Sequence, residues 1–225
     1  MMFECKYCGK KFTKESTLAV HLCEPKRRYQ QQDERFVQLA FRAYQYFYKK
    51  TMPQTQKDRT YDDFAKSKYY TAFTKFGRYL YDVHVDDPSK YIDYLLKNMV
   101  KIDRWHLDSV YEKYIKEHLR NEPAQTAVER AVIIMKRWGL DNDQNFNDCL
   151  QNITPNRAVH FIRSGKLSPW VLYNCESGVK LLERLNNEQV GLVHDYIDPD
   201  YWTAKFQMAQ QDVQFVEQVL ETAGL

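Results

Sequence analysis

The 225-residue sequence predicts an all-α fold: a helical body in two parts, preceded by one small ββα module. Three observations predict it. Apolar residues recur at helical spacing from residue 33 onward, and almost no strand-like alternation appears after the first 28 residues. Four of the seven prolines follow a residue able to cap a helix, at Asp87-Pro88, Thr154-Pro155, Ser168-Pro169 and Asp198-Pro199. Three of the five cysteines crowd between Cys5 and Cys23, which marks the N-terminal segment as organised differently.

That segment, residues 3–23, reads FECKYCGKKFTKESTLAVHLC. Its frame is Phe3, Cys5-x2-Cys8, Phe12, Leu18 and His21, with twelve residues between Cys8 and His21. This is the spacing of a C2H2 zinc finger through its third ligand. Gly9 supplies a permissive backbone beside the cysteine knuckle, and Phe12 and Leu18 form a minimal core. So short a segment cannot fold by burial alone, so a bound Zn2+ must supply much of its stability. A fourth ligand normally follows the first histidine by three to five residues, whereas Cys23 follows His21 by two. On a continuous helix those two side chains point about 200° apart. The ligand set Cys5, Cys8, His21 and Cys23 therefore requires the helix to end at His21, and Pro25 makes an early stop feasible. Lys10, Lys11, Lys14, Lys26, Arg27 and Arg28 surround the module and suit contact with phosphates.

The finger is expected over residues 1–28, with Gln30-Gln31-Gln32 as a short connector. Charge divides the remainder. Residues 1–80 carry 17 Lys+Arg against 8 Asp+Glu, and residues 81–225 carry 16 against 22. A basic, tyrosine-rich helical domain is expected over 33–81 and an acidic helical domain over 87–225. The first suits a polyanion and the second something less acidic.

The helices follow from their apolar stripes. Phe36, Leu39, Ala40, Ala43 and Phe47 form one, and Tyr69, Phe73, Phe76 and Leu80 form another. Leu107, Val110, Tyr111, Tyr114 and Ile115 continue the pattern, as do Val128, Ala131, Val132 and Met135. Pro123 is expected at the first turn of a further helix, and Gly139 and Gly165 at helix C-termini. Thirteen of the 17 tyrosines lie between Tyr29 and Tyr114. In the block YDDFAKSKYYTAFTKFGRYLY the rings are expected in the core, leaving Lys66, Lys68, Lys75 and Arg78 on an outer, phosphate-facing surface. Base stacking by those rings is the alternative.

Catalytic signatures are missing: no G-x-x-x-x-G-K-[ST] loop, no G-x-S-x-G elbow and no H-E-x-x-H helix. His84, His106, His118, His160 and His194 are scattered, and Asp62-Asp63 and Asp86-Asp87 read as helix starts. A non-enzymatic protein is expected. No stretch approaches 18 apolar residues and the start lacks an apolar signal core, so the expected location is cytoplasmic, without membrane contact.

Four stretches carry a resemblance. They are YDDFAKSKYYTAFTKFGRYL at 61–80, NMVKIDRWHLDSVYEKYI at 98–115, HFIRSGKLSPWVLYNCESGVKLLERL at 160–185 and DYIDPDYWTAKF at 195–206. In order, and in the spacing of aromatic and apolar anchors, they resemble the DNA helicase loaders (helicase assembly proteins) of T4-type phages. The resemblance covers roughly residues 36–206. It implies a two-domain, all-α, non-enzymatic protein of phage DNA replication and recombination, in the host cell cytoplasm. Such a protein binds forked and single-stranded DNA without base specificity. It also contacts the single-strand DNA-binding protein and brings the replicative hexameric DNA helicase onto the lagging strand. Lys66, Lys68, Lys75 and Arg78 fall in the part that resembles the family's DNA-facing half, and the turn with Lys49, Lys50, Lys57 and Arg59 is a second candidate for phosphate contact. The finger is additional to the T4-like form. Two other functions fit the residues: a zinc-finger transcription regulator, which would show sequence preference, and a structural adaptor, which would not need DNA.

Overall fold

A computed structural model describes residues 2–54 and 58–225. It is helical apart from one two-stranded ribbon, β1 (Phe3–Glu4) and β2 (Lys11–Phe12), paired antiparallel with Phe3 opposite Phe12. Then come α1 (Glu15–Val20), α2 (Glu24–Gln30), α3 (Arg35–Thr51), α4 (Tyr61–Lys66), α5 (Tyr70–Val83) and α6 (Pro88–Lys97). After a 3-10 turn at Ile102–Arg104, α7 (Asp108–Asn121) begins. The chain packs as two compact units, Met1–Val110 and Tyr111–Leu225.

The first unit is organised by α3 and α5. Val37, Ala40, Ala43 and Tyr44 are buried along one face of α3; Tyr70, Phe73, Phe76, Gly77 and Leu80 along one face of α5. The helices run antiparallel, since Phe73 stacks edge-on against Tyr44 and Phe47 while Gly77 lies against Phe36 and Ala40. A Cβ on Gly77 would stand 2.3 Å from the Phe36 carbonyl oxygen and 2.6 Å from the Ala40 nitrogen. No other residue fits there. Trp105, fully buried, closes the core beneath the rings of Phe47, Phe73 and Phe76. Its indole N–H donates to the Val100 carbonyl at 2.9 Å, and the Tyr91 hydroxyl donates to its carbonyl at 3.1 Å.

Because Tyr91, Ile92 and Leu95 of α6 are buried in the same unit, packing continues to Val110, past the change of charge near residue 81. The expected division at 81–87 is thus displaced. Surface charge does not set a packing boundary; the meeting of apolar faces does. Measured by unit, charge still divides: 21 Lys+Arg against 14 Asp+Glu in the first, and 12 against 16 in the second.

The second unit continues with α8 (Ala124–Asn142), a 3-10 turn at Phe146–Asp148, α9 (Cys149–Asn152), α10 (Pro155–Arg163) and α11 (Pro169–Leu172). It ends with α12 (Glu176–Glu183), α13 (Asn187–Ile197), α14 (Pro199–Met208) and α15 (Gln210–Thr222). All four expected proline-marked starts are present, with Asp87, Thr154, Ser168 and Asp198 accepting from first-turn backbone N–H groups. Pro123 is one residue out, occupying the N-cap of α8 itself. Gly139 does not end α8, which runs on to a left-handed Asp143; it is glycine because a Cβ would meet the Gln144 carbonyl at 2.7 Å. Gly165, at φ +74, does follow α10 in the left-handed conformation.

One buried ion pair links three segments of this unit. Glu122 accepts both guanidinium nitrogens of Arg130, one at 2.8 Å, and the Ser168 hydroxyl at 2.9 Å. Among the described residues, no helix is long and apolar enough to cross a membrane.

Two stability outcomes are expected, both read by chemical denaturation. Alanine in place of glycine ordinarily stabilises a helix by about 1 kcal/mol. Gly77→Ala should instead cost about 1–3 kcal/mol, because α3 and α5 must separate; a gain would show that the two backbones are not in contact. Glu122→Ala should cost about 2–4 kcal/mol by removing the carboxylate that pairs with the largely covered Arg130 and accepts from Ser168.

Candidate metal centre and basic surfaces

The ββα module brings its four candidate ligands together. Between the strands the chain makes a knuckle: the Gly9 N–H donates to the Cys5 carbonyl at 2.8 Å, and the Cys5 N–H to the Lys10 carbonyl at 2.9 Å. Gly9, at φ +70, takes the left-handed conformation this turn needs. The Tyr7 backbone N–H, followed by burial and the Cys8 N–H, acts on the Cys5 sulfur, and the balance holds its thiol below the ordinary cysteine range. Phe12 packs against the His21 ring with centroids 4.8 Å apart.

Helix α1 stops at Val20, and His21 is extended at φ −66, ψ 119. Cys23 is also extended, at φ −105, ψ 160, and caps α2. The break that the His21–Cys23 spacing demands is therefore present. It sets the Cys23 sulfur 3.9 Å from that of Cys5, and the Cys8 sulfur 3.3 Å from Nε2 of His21. All four donor atoms lie within 4.8 Å of one another. In a tetrahedral site with metal–sulfur bonds of about 2.3 Å and metal–nitrogen bonds of about 2.0–2.1 Å, neighbouring donors stand about 3.5–3.8 Å apart. Three thiol sulfurs and one imidazole thus form a set that can hold one metal ion.

The centre is built into its unit. Lys26 Nζ donates to the His21 carbonyl at 3.0 Å. From α2, the Arg28 guanidinium donates to the Ala65 carbonyl at 2.7 Å and lies over the Tyr70 ring at 4.4 Å. The Tyr61 hydroxyl returns a bond to the Arg28 carbonyl at 2.6 Å, and the Tyr29 hydroxyl donates to Asp62. Tyr29 also packs on Tyr7 of the knuckle. Sequence reasoning did not find this seam, whose parts are scattered from Tyr7 to Tyr70.

The fourteen candidate phosphate-contacting residues divide by what holds them. Lys26 and Arg28 belong to the seam. Arg27 pairs with Glu24, Lys11 with Glu4, Lys50 with Asp93 and Lys66 with Asp62. Arg59 lies over the Tyr48 ring and exposed Arg78 over Phe36. Lys10, Lys14, Lys49, Lys68 and Lys75 are exposed and, among the described residues, outside any ion pair; Lys10 and Lys68 lie near the rings of Phe12 and Tyr69. Lys57 lies outside the described residues. In the 61–81 block, Phe64, Tyr70, Phe73 and Phe76 are buried as expected, whereas Tyr61, Tyr69 and Tyr79 are half-buried and Tyr81 is exposed.

The remaining cysteines stand apart. Cys149 is fully buried, which pushes its thiol up to about 12, and Cys175 donates to the Val171 carbonyl at 3.3 Å. Among the described residues, no second group of His, Cys, Asp and Glu side chains gathers at metal-binding distance.

No family model, no curated protein and no solved structure matches the chain.

Substituting Cys5→Ser or Cys23→Ser should each abolish stoichiometric metal binding, whereas Cys149→Ser should retain it, by metal analysis of the purified protein. Undiminished affinity in the Cys23 variant would leave a three-ligand site. Chelation should lower the thermal midpoint, and acidification should release metal as the thiolates protonate.

Proposed function

We propose that the protein is a zinc-stabilised, non-enzymatic DNA-binding factor that acts as a helicase loader. On this reading Cys5, Cys8, His21 and Cys23 hold Zn2+ as a structural ion. The basic first unit grips forked and single-stranded DNA through phosphates. The acidic second unit serves protein partners, namely the replicative hexameric DNA helicase and the single-strand DNA-binding protein. This places the protein in phage DNA replication and recombination, in the cytoplasm of the host.

The observation that carries the reading is the division of roles within 61–81. The rings of Phe64, Tyr70, Phe73 and Phe76 turn inward, while Lys68, Lys75 and Arg78 remain at the surface. With those four rings withdrawn the exposed cations suit phosphate contact, while half-buried Tyr69 and Tyr79 and exposed Tyr81 stay beside them. The finger supports the same preference for shape over sequence. The positions from which such a helix reads bases are occupied by Lys14, Thr17 and Val20, and Val20, 82% exposed, has no hydrogen-bonding group to offer a base edge. This weighs against the transcription-regulator reading.

The test is equilibrium binding of the metal-loaded protein to a fluorescent fork, a blunt duplex and a single strand of matched composition, at two salt concentrations. A fork preference of about tenfold or more, corresponding to about 1.4 kcal/mol, is expected across unrelated sequences. Equal affinity for all three, or none, would move the reading to a structural adaptor. Replacing Lys68, Lys75 and Arg78 with Ala should weaken fork binding and flatten its salt dependence. Adding Lys66→Ala should change little, because Asp62 already pairs with that side chain.

A further inference from the structure

Helix α3 has a feature the sequence reading passed over. Over Arg35–Thr51 it contains four cations and no Asp or Glu. Three of the cations, Arg35, Arg42 and Lys49, recur every seven residues; all are exposed, and among the described residues none is engaged in an ion pair. A seven-residue spacing drifts only about 20° per step, so the three form one ridge about 21 Å long. The positions between them on this side are Gln38 and Gln45, which donate to the Gln32 and Arg59 carbonyls, and half-buried Leu39 and Tyr46, whose hydroxyl donates to Asp93 at 2.9 Å. The nearest acids in sequence, Asp33 and Glu34, stand before the first turn.

The direction of the ridge follows from the packing. Arg42 lies two residues from Ala40 and two from Tyr44, both of which face α5, so it points to the opposite side. By the same reasoning Lys75, two residues from Phe73 and from Gly77, points away from α3. Lys68, in the turn just before α5, is exposed as well. With helix axes about 8–10 Å apart and side chains reaching about 5–6 Å from each axis, the two sets of cations stand about 20 Å apart. A straight segment lying on one face cannot reach the other.

We propose that the α3/α5 pair holds two nucleic-acid segments at once, one on the Arg35–Arg42–Lys49 ridge and one on the Lys68–Lys75 face. The inference rests on the DNA-binding reading and gives it a geometry, since a junction supplies two segments and a plain duplex one. The ligand is the phosphate backbone. The ridge spans about six steps of a strand at about 3.4 Å each, and the exposed side chains of α3 are its cations and Thr51, not the exposed apolar centre typical of a protein interface. An acidic protein segment is the competing occupant.

The test uses the full, metal-loaded chain and two sets of substitutions: Arg35→Gln with Arg42→Gln and Lys49→Gln, and Lys68→Gln with Lys75→Gln. All five sites are exposed, so melting temperatures should match the wild type. On a fork, which engages both faces, the first set should reduce the salt slope by about 2–3 units and the second by about 1–2, and the losses should add. A plain duplex can use either face, so each set alone should keep duplex affinity within about twofold and only the combination should lose it. Wild-type protein, monodisperse by light scattering, should also bring donor- and acceptor-labelled duplexes together, and either set should abolish that transfer.

An unchanged fork slope in the α3 set, or loss of duplex binding from either set alone, would overturn the two-face geometry while leaving DNA binding intact. Wild-type protein that bridges duplexes yet shows no fork preference would sink the loader reading and retain the two faces. Absence of any DNA binding, with poly-glutamate captured through the same residues, would overturn both and assign the faces to an acidic protein.

Discussion

The contact of α3 with α5 at Gly77 determines most of what the first unit presents to solvent. With the Phe36 carbonyl and the Ala40 nitrogen where a side chain would begin, the two backbones lie against each other. That proximity fixes the rotation of each helix. It aims Tyr44, Phe47, Phe73 and Phe76 at one another and at Trp105, and turns the remaining positions outward. The outward positions hold the cations. A looser pairing would let either helix roll, and the separation of rings from charges would blur. One missing Cβ therefore links core geometry to surface electrostatics.

The N-terminal cluster solves a different problem by different means. Its segment is too small to bury a core, and among its residues only Cys5 is fully withdrawn, at 4% exposure. Donor atoms converge because the chain is broken at two places: the knuckle turned by Gly9 and the extended step from His21 to Cys23. The second break also launches α2, so the geometry of the cluster and the direction of that helix are set by the same few dihedral angles. Arg28 and Tyr61 then lock the helix to its unit by reciprocal bonds.

Much of this was legible in the sequence because it depends on local rules. A capping side chain before proline defines a helix start wherever it occurs, and Asp87, Thr154, Ser168 and Asp198 all do so. The candidate ligands Cys5, Cys8 and His21 follow from spacing, and Cys23 joins the cluster through a helix stop that Pro25 foreshadows. What escaped depends on tertiary placement. Gly139 reads as a terminator but is a contact point for the returning chain. Lys50 and Lys66 read as free charges, yet each has a carboxylate partner, one of them on another helix. The boundary at Val110 could not be taken from charge, which belongs to the surface. Arg35 and Arg42 were visible as a repeat, but their orientation became apparent only once α5 was in place.

The extended step between His21 and Cys23 has a consequence for how this protein can vary. Most fingers are cassettes: a flexible joint follows the last ligand, and the module can be transplanted or deleted without injury to its neighbours. Here Cys23, the last of the clustered donors, is already the cap of the next helix, and that helix is bonded to α4 and covers part of Tyr70. Excising the finger together with α2 would take the Arg28 carbonyl from Tyr61 and the Arg28 guanidinium from Tyr70, and grafting both elsewhere would export a helix with nothing to lie on. Its inheritance is tied to that of the helical unit beneath it, as a keystone is tied to its arch.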